Sequence, residues 1–316
     1  MKKTQSIARP RNLKHVQRRD ELAGWLFAAP WIIGFLIFSL YPIVISIYYS
    51  LTEFNIFQSP KWVGLQNFIN LFHDDKFYKS LGNTFYMVII ATPIGLVVAL
   101  LLAVLLNQKM VGRPIFRTVF YLPSIVPAVA SSLLWVWILN PQYGLINSAL
   151  KAVGLYQPNW LVDPNFTKPS LILMGTWGSG QTMIIFLAAL QDVPRYLYEA
   201  AEIDGAGPFT KFFKITLPSI TPVIFFQLIM SIITYFQYFT QAYILIGGGN
   251  GGSGLNGISG GPENSMLFYS LYLWHNAFGY FKMGYASAMA WILFIIIMIV
   301  TAIIFKTQNR WVSYGD

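Results

Sequence analysis

The chain has 316 residues, of which 55% are hydrophobic and only 10% are charged, and its mean hydropathy is +0.54. Because a soluble globular domain carries about 25% charged residues, this composition excludes a pair of ordinary soluble domains. The formal net charge of +9 does not indicate nucleic-acid binding, because the basic residues are not clustered with aromatic residues. The lack of cysteine excludes disulfides, thiol nucleophiles and zinc–thiolate sites.

Six apolar segments have the length of a bilayer span and predict an all-α membrane protein with six transmembrane helices. None of them contains Asp, Glu, Lys, Arg or His, so we expect every charge to lie in a tail or a loop. A basic tail, 1–23, precedes the segments, and a short tail, 306–316, follows them. The predicted spans are approximately 24–50, 83–106, 118–139, 169–190, 220–246 and 285–305.

The basic residues are divided unequally between the two sides of the predicted membrane. Fifteen of the 21 Lys and Arg residues lie in the two tails and in loops 107–117 and 191–219. The positive-inside rule therefore predicts a multi-pass protein of the cell membrane with both termini in the cytoplasm. Three loops then face outward, and the Gly-rich stretch 247–261 is typical of a flexible connection. The outward loops are 51–82, 140–168 and 247–284.

Residues for catalysis are scarce, and an enzyme is not predicted. His15, His73 and His275 lie in tails or loops without a metal-like partner one turn away, and no phosphate-binding loop motif is present. Asp74 and Asp75 are adjacent carboxylates that we expect to be solvated loop residues. No metal or cofactor is therefore predicted for this chain. The lack of ionisable residues in the spans also argues against proton-coupled transport.

Loop 191–219 is unusual for a simple connection between two helices. Good helix formers lead to Asp204-Gly205, which predicts a turn, and a second amphipathic piece runs from Phe209 to Ile215 before Pro218 opens the next span. The aromatic residues of this loop need a covering surface. Two interpretations remain open from the residues alone: the loop docks on a partner, or its helices lie flat on the membrane.

The spans on either side of this loop carry polar residues at helical spacing. Those of the fifth span follow one another by 4, 3, 4 and 3 residues, which predicts one continuous helical face. Such a face forms either interhelical hydrogen bonds or the wall of a hydrated pathway. Aromatic and amide groups without charge suit a neutral polyhydroxylated solute. The candidate pathway residues are Trp177 and Gln181 in the fourth span, and Gln227, Ser231, Thr234, Tyr235, Tyr238 and Gln241 in the fifth.

The spacing within loop 191–219 carries a family resemblance. Glu199-Ala200-Ala201, three residues, Gly205, nine residues, then Ile215-x-Leu217-Pro218 is similar to the EAA signature of bacterial ABC importer permeases without a mismatch. The signature is long, and the resemblance extends over nearly the whole chain beyond the basic tail. The residues that it implies contact an ATPase are Glu199, Ala200, Ala201, Asp204, Gly205, Phe209, Phe212, Phe213, Ile215, Leu217 and Pro218.

Other segments resemble the maltose-type sugar permeases within that family. They are Tyr41-Pro42 in the first span, Val63 to Phe68 in the first outward loop, and Phe278 to Ala288 at the last span. The chain is similar to the larger of the two maltose permease subunits. It departs from that subunit in lacking a large extra outward domain and additional N-terminal spans.

The resemblance implies a type I ABC importer permease that forms half of a translocation pathway for carbohydrate, in particular oligosaccharide. The implied partners are a second six-span permease, a homodimeric cytoplasmic ATPase, an extracytoplasmic sugar-binding protein and membrane lipid. ATP and Mg²⁺ would be bound by the ATPase, and none by this chain. The alternative is a stand-alone secondary carrier or channel for a neutral solute, which leaves the EAA spacing unexplained.

Overall fold

The computed structural model describes residues 13–248 and 260–313, and the regular structure in these ranges is almost entirely helical. This confirms the predicted all-α class. The one sheet in the described ranges pairs β1 (Thr52–Glu53) with β2 (Lys61–Trp62) antiparallel, with Thr52 opposite Trp62. Residues 249–259, which hold most of the Gly-rich stretch, lie outside the described residues, as do 1–12 and 314–316.

The N-terminal apolar segment forms one continuous helix whose first part the rest of the chain leaves uncovered. Its apolar part runs for 30 residues, Glu21–Ser50, and Trp25, Phe27 and Trp31 on it are exposed. A helix that is apolar all round belongs in a membrane or against another protein. The elements are α1, Leu13–Phe35; a π-helical turn, Leu36–Leu40; and α2, Tyr41–Ser50.

A second continuous helix of 33 residues extends over Asp75–Asn107. It begins at Asp74, whose carboxylate accepts a hydrogen bond of 2.9 Å from the backbone N–H of Lys76 and so satisfies a free donor of the first turn. The predicted span 83–106 lies inside it. The elements are α3, Gln66–Phe72; α4, Asp75–Tyr86; a π-helical turn, Met87–Ala91; and α5, Thr92–Asn107.

The third and fourth predicted spans, 118–139 and 169–190, are helix pairs with sharp bends. The first pair bends by 101° at Val126, which is extended because a residue that precedes a proline is disfavoured in a helix. The second pair bends by 49° at Gly178. The elements are α6, Arg113–Ile125; α7, Ala128–Ile138; α8, Leu145–Ala152; α9, Pro164–Trp177; and α10, Gly180–Asp192.

Several helices continue past the apolar segments that predicted them. Lys79 therefore lies in α4, Arg113 and Arg117 lie in the first turns of α6, and Lys168 lies in α9. All four residues still lie outside the predicted spans 83–106, 118–139 and 169–190. A helix ends where its backbone hydrogen bonds end, and charged residues are tolerated on the turns that extend beyond the apolar part.

The following part of the chain contains two short helices and then another bent pair. The helical stretch Pro208–Ser219 meets the helix Thr221–Phe236 at 64°. The elements are α11, Arg195–Ile203; α12, Pro208–Lys211; a π-helical turn, Phe212–Thr216; α13, Leu217–Ser219; α14, Thr221–Phe236; and α15, Thr240–Gly248.

Residues 260–280, which we call the inserted segment, pack inside the protein although 247–284 was predicted as a loop. Met266, Leu267, Phe268 and Tyr269 on it are at most 1% exposed, because they fill the space between α4, α15 and the last helix. The elements are a 3₁₀ turn, Pro262–Asn264; α16, Tyr269–Trp274; a π-helical turn, His275–Gly279; α17, Met283–Thr307; and a 3₁₀ turn, Gln308–Arg310.

Three helices in the described ranges are long and apolar enough to cross a membrane, and the number rises to six if each bent pair is one span. α10 packs against α5 and α6, and α17 packs against α2. The apolar core lies in three clusters along these contacts, centred on residues such as Leu171, Phe236 and Phe186. The bends of the helix pairs leave a cavity between the clusters.

Candidate functional site

A cavity of about 670 Å³ lies between α5, the bent pairs α6–α7 and α9–α10, α14 and α15. Seven of the eight predicted pathway residues line it, although they come from two separate parts of the chain. Met174, three residues before Trp177 in the fourth predicted span, lines the cavity as well. The seven are Gln181, Gln227, Ser231, Thr234, Tyr235, Tyr238 and Gln241.

Trp177, the eighth predicted residue, is not part of this lining. It is the last residue of α9, and its ring lies edge-on to that of Trp135, with the ring centres 5.9 Å apart. The chain turns at Gly178 directly after it, so that Gln181 enters the cavity and Trp177 does not. The spacing along a straight helix could not reveal this separation.

The polar residues of the fifth predicted span do not share one continuous helix, and that prediction is wrong. α14 ends at Phe236, residues 237–239 are not helical, and α15 begins at Thr240. Tyr238 therefore lies in the break between two helices, where it is 8% exposed. The residues still meet at one cavity, because the break redirects the chain along the cavity wall.

Among the described residues, the cavity lining holds no charged side chain. Its polar groups are amides and hydroxyls, and its apolar surface comes from residues such as Phe226 and Met230. Thr92 places a buried hydroxyl there that has no hydrogen-bond partner within residues 13–248 and 260–313. Such a surface offers both donors and acceptors to an uncharged polar molecule and no counter-charge to an ion.

Sequence reasoning missed several small polar residues of the lining. A usable signal was present, since most of them stand beside a proline, a glycine or a helix break, which are the positions where membrane helices bend around cavities. The missed residues are Thr92, Ser124, Ser131, Ser179, Thr182, Gln237 and Thr240.

The predicted turn in loop 191–219 ends α11. Gly205 has φ +76°, a left-handed conformation that side chains with a Cβ resist. The backbone N–H of Ala206 donates to the carbonyl of Ala201 at 2.8 Å, and that of Gly205 donates to Glu202 at 3.0 Å. These two bonds form a Schellman motif that satisfies free carbonyls at the helix end. Glu199, Ala200 and Asp204 are exposed on this helix.

Two side-chain contacts hold the two halves of the 191–219 segment together. The hydroxyls of Tyr198 and Thr216 lie 2.9 Å apart, and Lys211 Nζ lies 2.6 Å from a carboxylate oxygen of Glu202. Ile215 is partly buried and packs on the cluster between α5 and α10. The segment is therefore fixed to the helices on which it lies, and sequence reasoning did not predict either contact.

The predicted aromatic face of this segment divides into exposed and covered residues. Phe209 and Phe213 are 81% and 60% exposed. Phe212 is partly covered and lies edge-on to Phe213, while Leu217 and Pro218 are also partly covered where the next helix begins. Two large exposed rings remain for a partner or a membrane surface to cover.

Asp74 is not the solvated loop carboxylate that the sequence predicted. It accepts hydrogen bonds from the hydroxyls of Tyr272 and Tyr285, which are about two hundred residues away in the chain. His275 is buried, and burial lowers the pKa of its imidazole. Within the described ranges, no group of three or more His, Asp and Glu residues could hold a metal ion.

Comparison with known proteins identifies the family. Residues 91–314 match the family described as binding-protein-dependent transport system inner membrane component. The chain belongs to this family. Its members are the membrane permeases of ABC transporters, and ATP hydrolysis belongs to a separate subunit. The predicted resemblance to ABC importer permeases is confirmed.

Relatives within the family cover almost the whole chain. The probable ABC transporter permease protein YesP of Bacillus subtilis is 44% identical over 317 residues, which cover 99% of this chain and 96% of YesP. The lactose transport system permease protein LacF of Rhizobium radiobacter is 34% identical, with 93% of this chain and 97% of LacF covered.

The fold is also shared with a solved structure. A chain of a bacterial ABC transporter involved in the import of the acidic polysaccharide alginate superposes with a TM-score of 0.79 at 24% identity. The match covers 95% of this chain and 99% of that chain. The likeness therefore extends over the bent pairs that enclose the cavity, and not only over the straight helices.

Proposed function

We propose that this permease forms half of the translocation pathway of an ATP-driven importer for neutral oligosaccharides. The observation that carries the proposal is the cavity, whose lining in the described residues joins aromatic rings, amides and hydroxyls without a charge. Sugar rings offer apolar faces to aromatic side chains and hydroxyls to amides. The name of LacF, which is that of a lactose transport permease, supports a carbohydrate substrate.

The 191–219 segment couples this pathway to the energy source in our proposal. Exposed Phe209 and Phe213 and the carboxylate of Glu199 insert into a cleft on one subunit of a homodimeric cytoplasmic ATPase, which binds ATP and Mg²⁺. The contacts of Tyr198 with Thr216 and of Ile215 with the α5–α10 cluster support this role, because they let the segment transmit a force as a rigid lever.

ATP-driven closure of the ATPase dimer then changes the spans from an inward-open to an outward-open arrangement. An extracytoplasmic sugar-binding protein releases its sugar into the cavity, which a second six-span permease completes. The long exposed apolar face of Glu21–Ser50 supports the presence of that second subunit or of lipid around this helix.

The proposed topology has six spans with both termini in the cytoplasm. The three continuous helices, the bent pairs α6–α7 and α9–α10, and α14 together with α15 supply the six spans. The excess of Lys and Arg in the tails and in loops 107–117 and 191–219 supports the orientation.

The test is transport by the purified complex of both permeases and the ATPase in proteoliposomes, with the binding protein added outside. Radiolabelled lactose and arabinotriose stand for neutral sugars, and sn-glycerol 3-phosphate stands for a small anionic solute. We expect uptake of a neutral sugar that requires ATP inside and the binding protein outside. Uptake without ATP would favour the stand-alone carrier, and uptake of only the anionic solute would contradict the role of the uncharged cavity.

A further inference from the structure

The inserted segment is fixed in register by side chains at the start of the second long helix. The side-chain amide of Asn83 donates to the carbonyl of Asn264 at 2.7 Å and to that of Leu267 at 3.0 Å. The hydroxyl oxygen of Thr84 accepts from the backbone N–H of Tyr269 at 2.9 Å. Buried polar backbone groups are costly when unpaired, so these bonds allow the segment one register.

A single carboxylate joins α16, which belongs to this segment, to α4 and α17. One oxygen of Asp74 caps α4, and the other accepts from Tyr272 on α16 and, at 2.7 Å, from Tyr285 on α17. The hydroxyl of Tyr269 adds a bond of 2.8 Å to the carbonyl of Met289 on α17. Hydrogen bonds to a charged acceptor are stronger than neutral ones, so we expect α4, α16 and α17 to move together at this end.

Phe268, which lies between the two contacts that fix the register of the same segment, reaches the cavity wall. Phe268 is completely buried, and its ring lies edge-on to Tyr238, with the ring centres 5.3 Å apart and the planes at 86°. Tyr235 lies against Tyr238 at 5.9 Å. Because residues 237–239 are not helical, the backbone fixes Tyr238 less firmly than it would in a helix, and these ring contacts hold it.

We propose that Phe268 is a positioning residue for the cavity and that the Asp74 cluster, which is Asp74 with Tyr272 and Tyr285, anchors it. The cluster sets the place of the inserted segment, and Phe268 then keeps the ring of Tyr238 at the cavity wall. The inference rests on the proposed function only in that it takes the cavity as the path of the solute. A shift of α16 at the cluster is transmitted to the cavity through Phe268.

The test measures the reaction of a single cysteine in the cavity with N-ethylmaleimide. The natural chain has no cysteine, so Thr234→Cys in the full chain, assembled with its partner subunits in membranes, gives the only labelled thiol of this chain. Phe268→Leu removes the ring contact and keeps an apolar side chain. We expect the labelling rate to rise about threefold or more, because Tyr238 no longer closes that part of the wall.

A double-mutant cycle separates positioning from a general loss of structure. Tyr238→Ala is expected to raise the labelling rate as well, and adding Phe268→Leu to it should change nothing further, since Phe268 acts through Tyr238. The matched control is Phe278→Leu, an exposed phenylalanine of the same segment, which should leave the rate unchanged. An unchanged rate in Phe268→Leu, or rates that multiply in the double variant, would overturn the proposal.

The anchor is tested by Tyr285→Phe, which removes one hydroxyl and no packing volume. We expect a rise of about twofold in the labelling rate, and again no further rise when Tyr238→Ala is present. A rate equal to that of the parent would overturn the role of the Asp74 cluster. N-ethylmaleimide replaces the sugar as the probe, so failure here is distinct from failure of the proposed transport function, which the uptake experiment decides.

Discussion

Gly180 and Gly205 are each required to be glycine, but for different physical reasons. A Cβ on Gly180 would lie 2.4 Å from the carbonyl oxygen of Phe120, so this glycine permits the close approach of α10 to α6. Gly205 has open space around it, but its φ of +76° is strained for any other residue. The sequence predicted the second requirement and not the first.

Gly180→Ala is expected to lower the melting temperature of the purified complex in detergent. The added methyl group meets rigid backbone, and overpacking of this kind costs about 1–3 kcal/mol. Gly82→Ala is the matched control, because a Cβ there meets nothing within 4 Å and alanine favours the helix. Equal melting temperatures for the two variants would contradict the close approach.

Gly205→Val is expected to reduce coupling to the ATPase while the permease remains in the membrane. The left-handed conformation costs a residue with a Cβ about 1–2 kcal/mol, so the end of α11 rearranges. The measurement is ATPase stimulation by the binding protein in the assembled complex. Gly207→Ala, at an exposed position with ordinary φ, should behave as the parent. Normal stimulation in Gly205→Val would remove the basis for the proposed lever.

Tyr238→Ala and Gln181→Ala are expected to lower uptake roughly tenfold or more at limiting sugar. Each substitution leaves a hydroxyl of the bound sugar without its partner, and an unpaired buried polar group costs about 1–3 kcal/mol. Both residues line the cavity, whereas the control, Tyr143→Ala, changes an exposed residue outside the lining. Uptake is measured with the labelled sugar that the proteoliposomes accept, beside a pull-down of the ATPase. Lost assembly without a separate transport defect would instead assign these residues to helix packing.

At the scale of elements, the breaks in the helices determine the shape of the cavity more than the straight helices do. The residue before Pro127, the glycine at 178 and the non-helical residues 237–239 turn three predicted straight spans into bent or divided ones. The first two breaks have a cause that the sequence contains, namely a proline and a glycine. At all three breaks, a polar residue that lines the cavity lies at or close to the break. The packing of the inserted segment, by contrast, has no local cause, since its apolar residues alone are consistent with an ordinary short helix.

The helix around His275 is expected to make stability depend on pH. Burial lowers the folded-state pKa of this imidazole below its ordinary value of 6.5. Its stabilising contribution is therefore complete above pH 6.5 and falls as the pH drops below that value, because only the unfolded chain then binds the proton. The melting temperature should fall less on acidification in His275→Gln than in the parent. An equal fall in the two proteins would contradict this contribution of His275.

At the scale of the whole molecule, the proposed orientation can be tested because the chain has no native cysteine. Gln66→Cys and Tyr156→Cys, at exposed positions, should react with an impermeant maleimide in intact cells. Val111→Cys and Ile203→Cys, which are also at exposed positions, should react only after permeabilisation. The opposite pattern would reverse the orientation inferred from the distribution of Lys and Arg.

The sequence by itself determined the all-α class, the membrane character and the family, because hydropathy and the EAA spacing are local properties that a linear reading contains. Only the tertiary structure decided that Gln181 and Gln227 meet at one cavity, that Trp177 is left out of it, and that Asp74 binds Tyr272. These outcomes depend on the directions in which bent helices leave their breaks and on contacts across long stretches of chain. Periodicity along a straight helix does not contain that information.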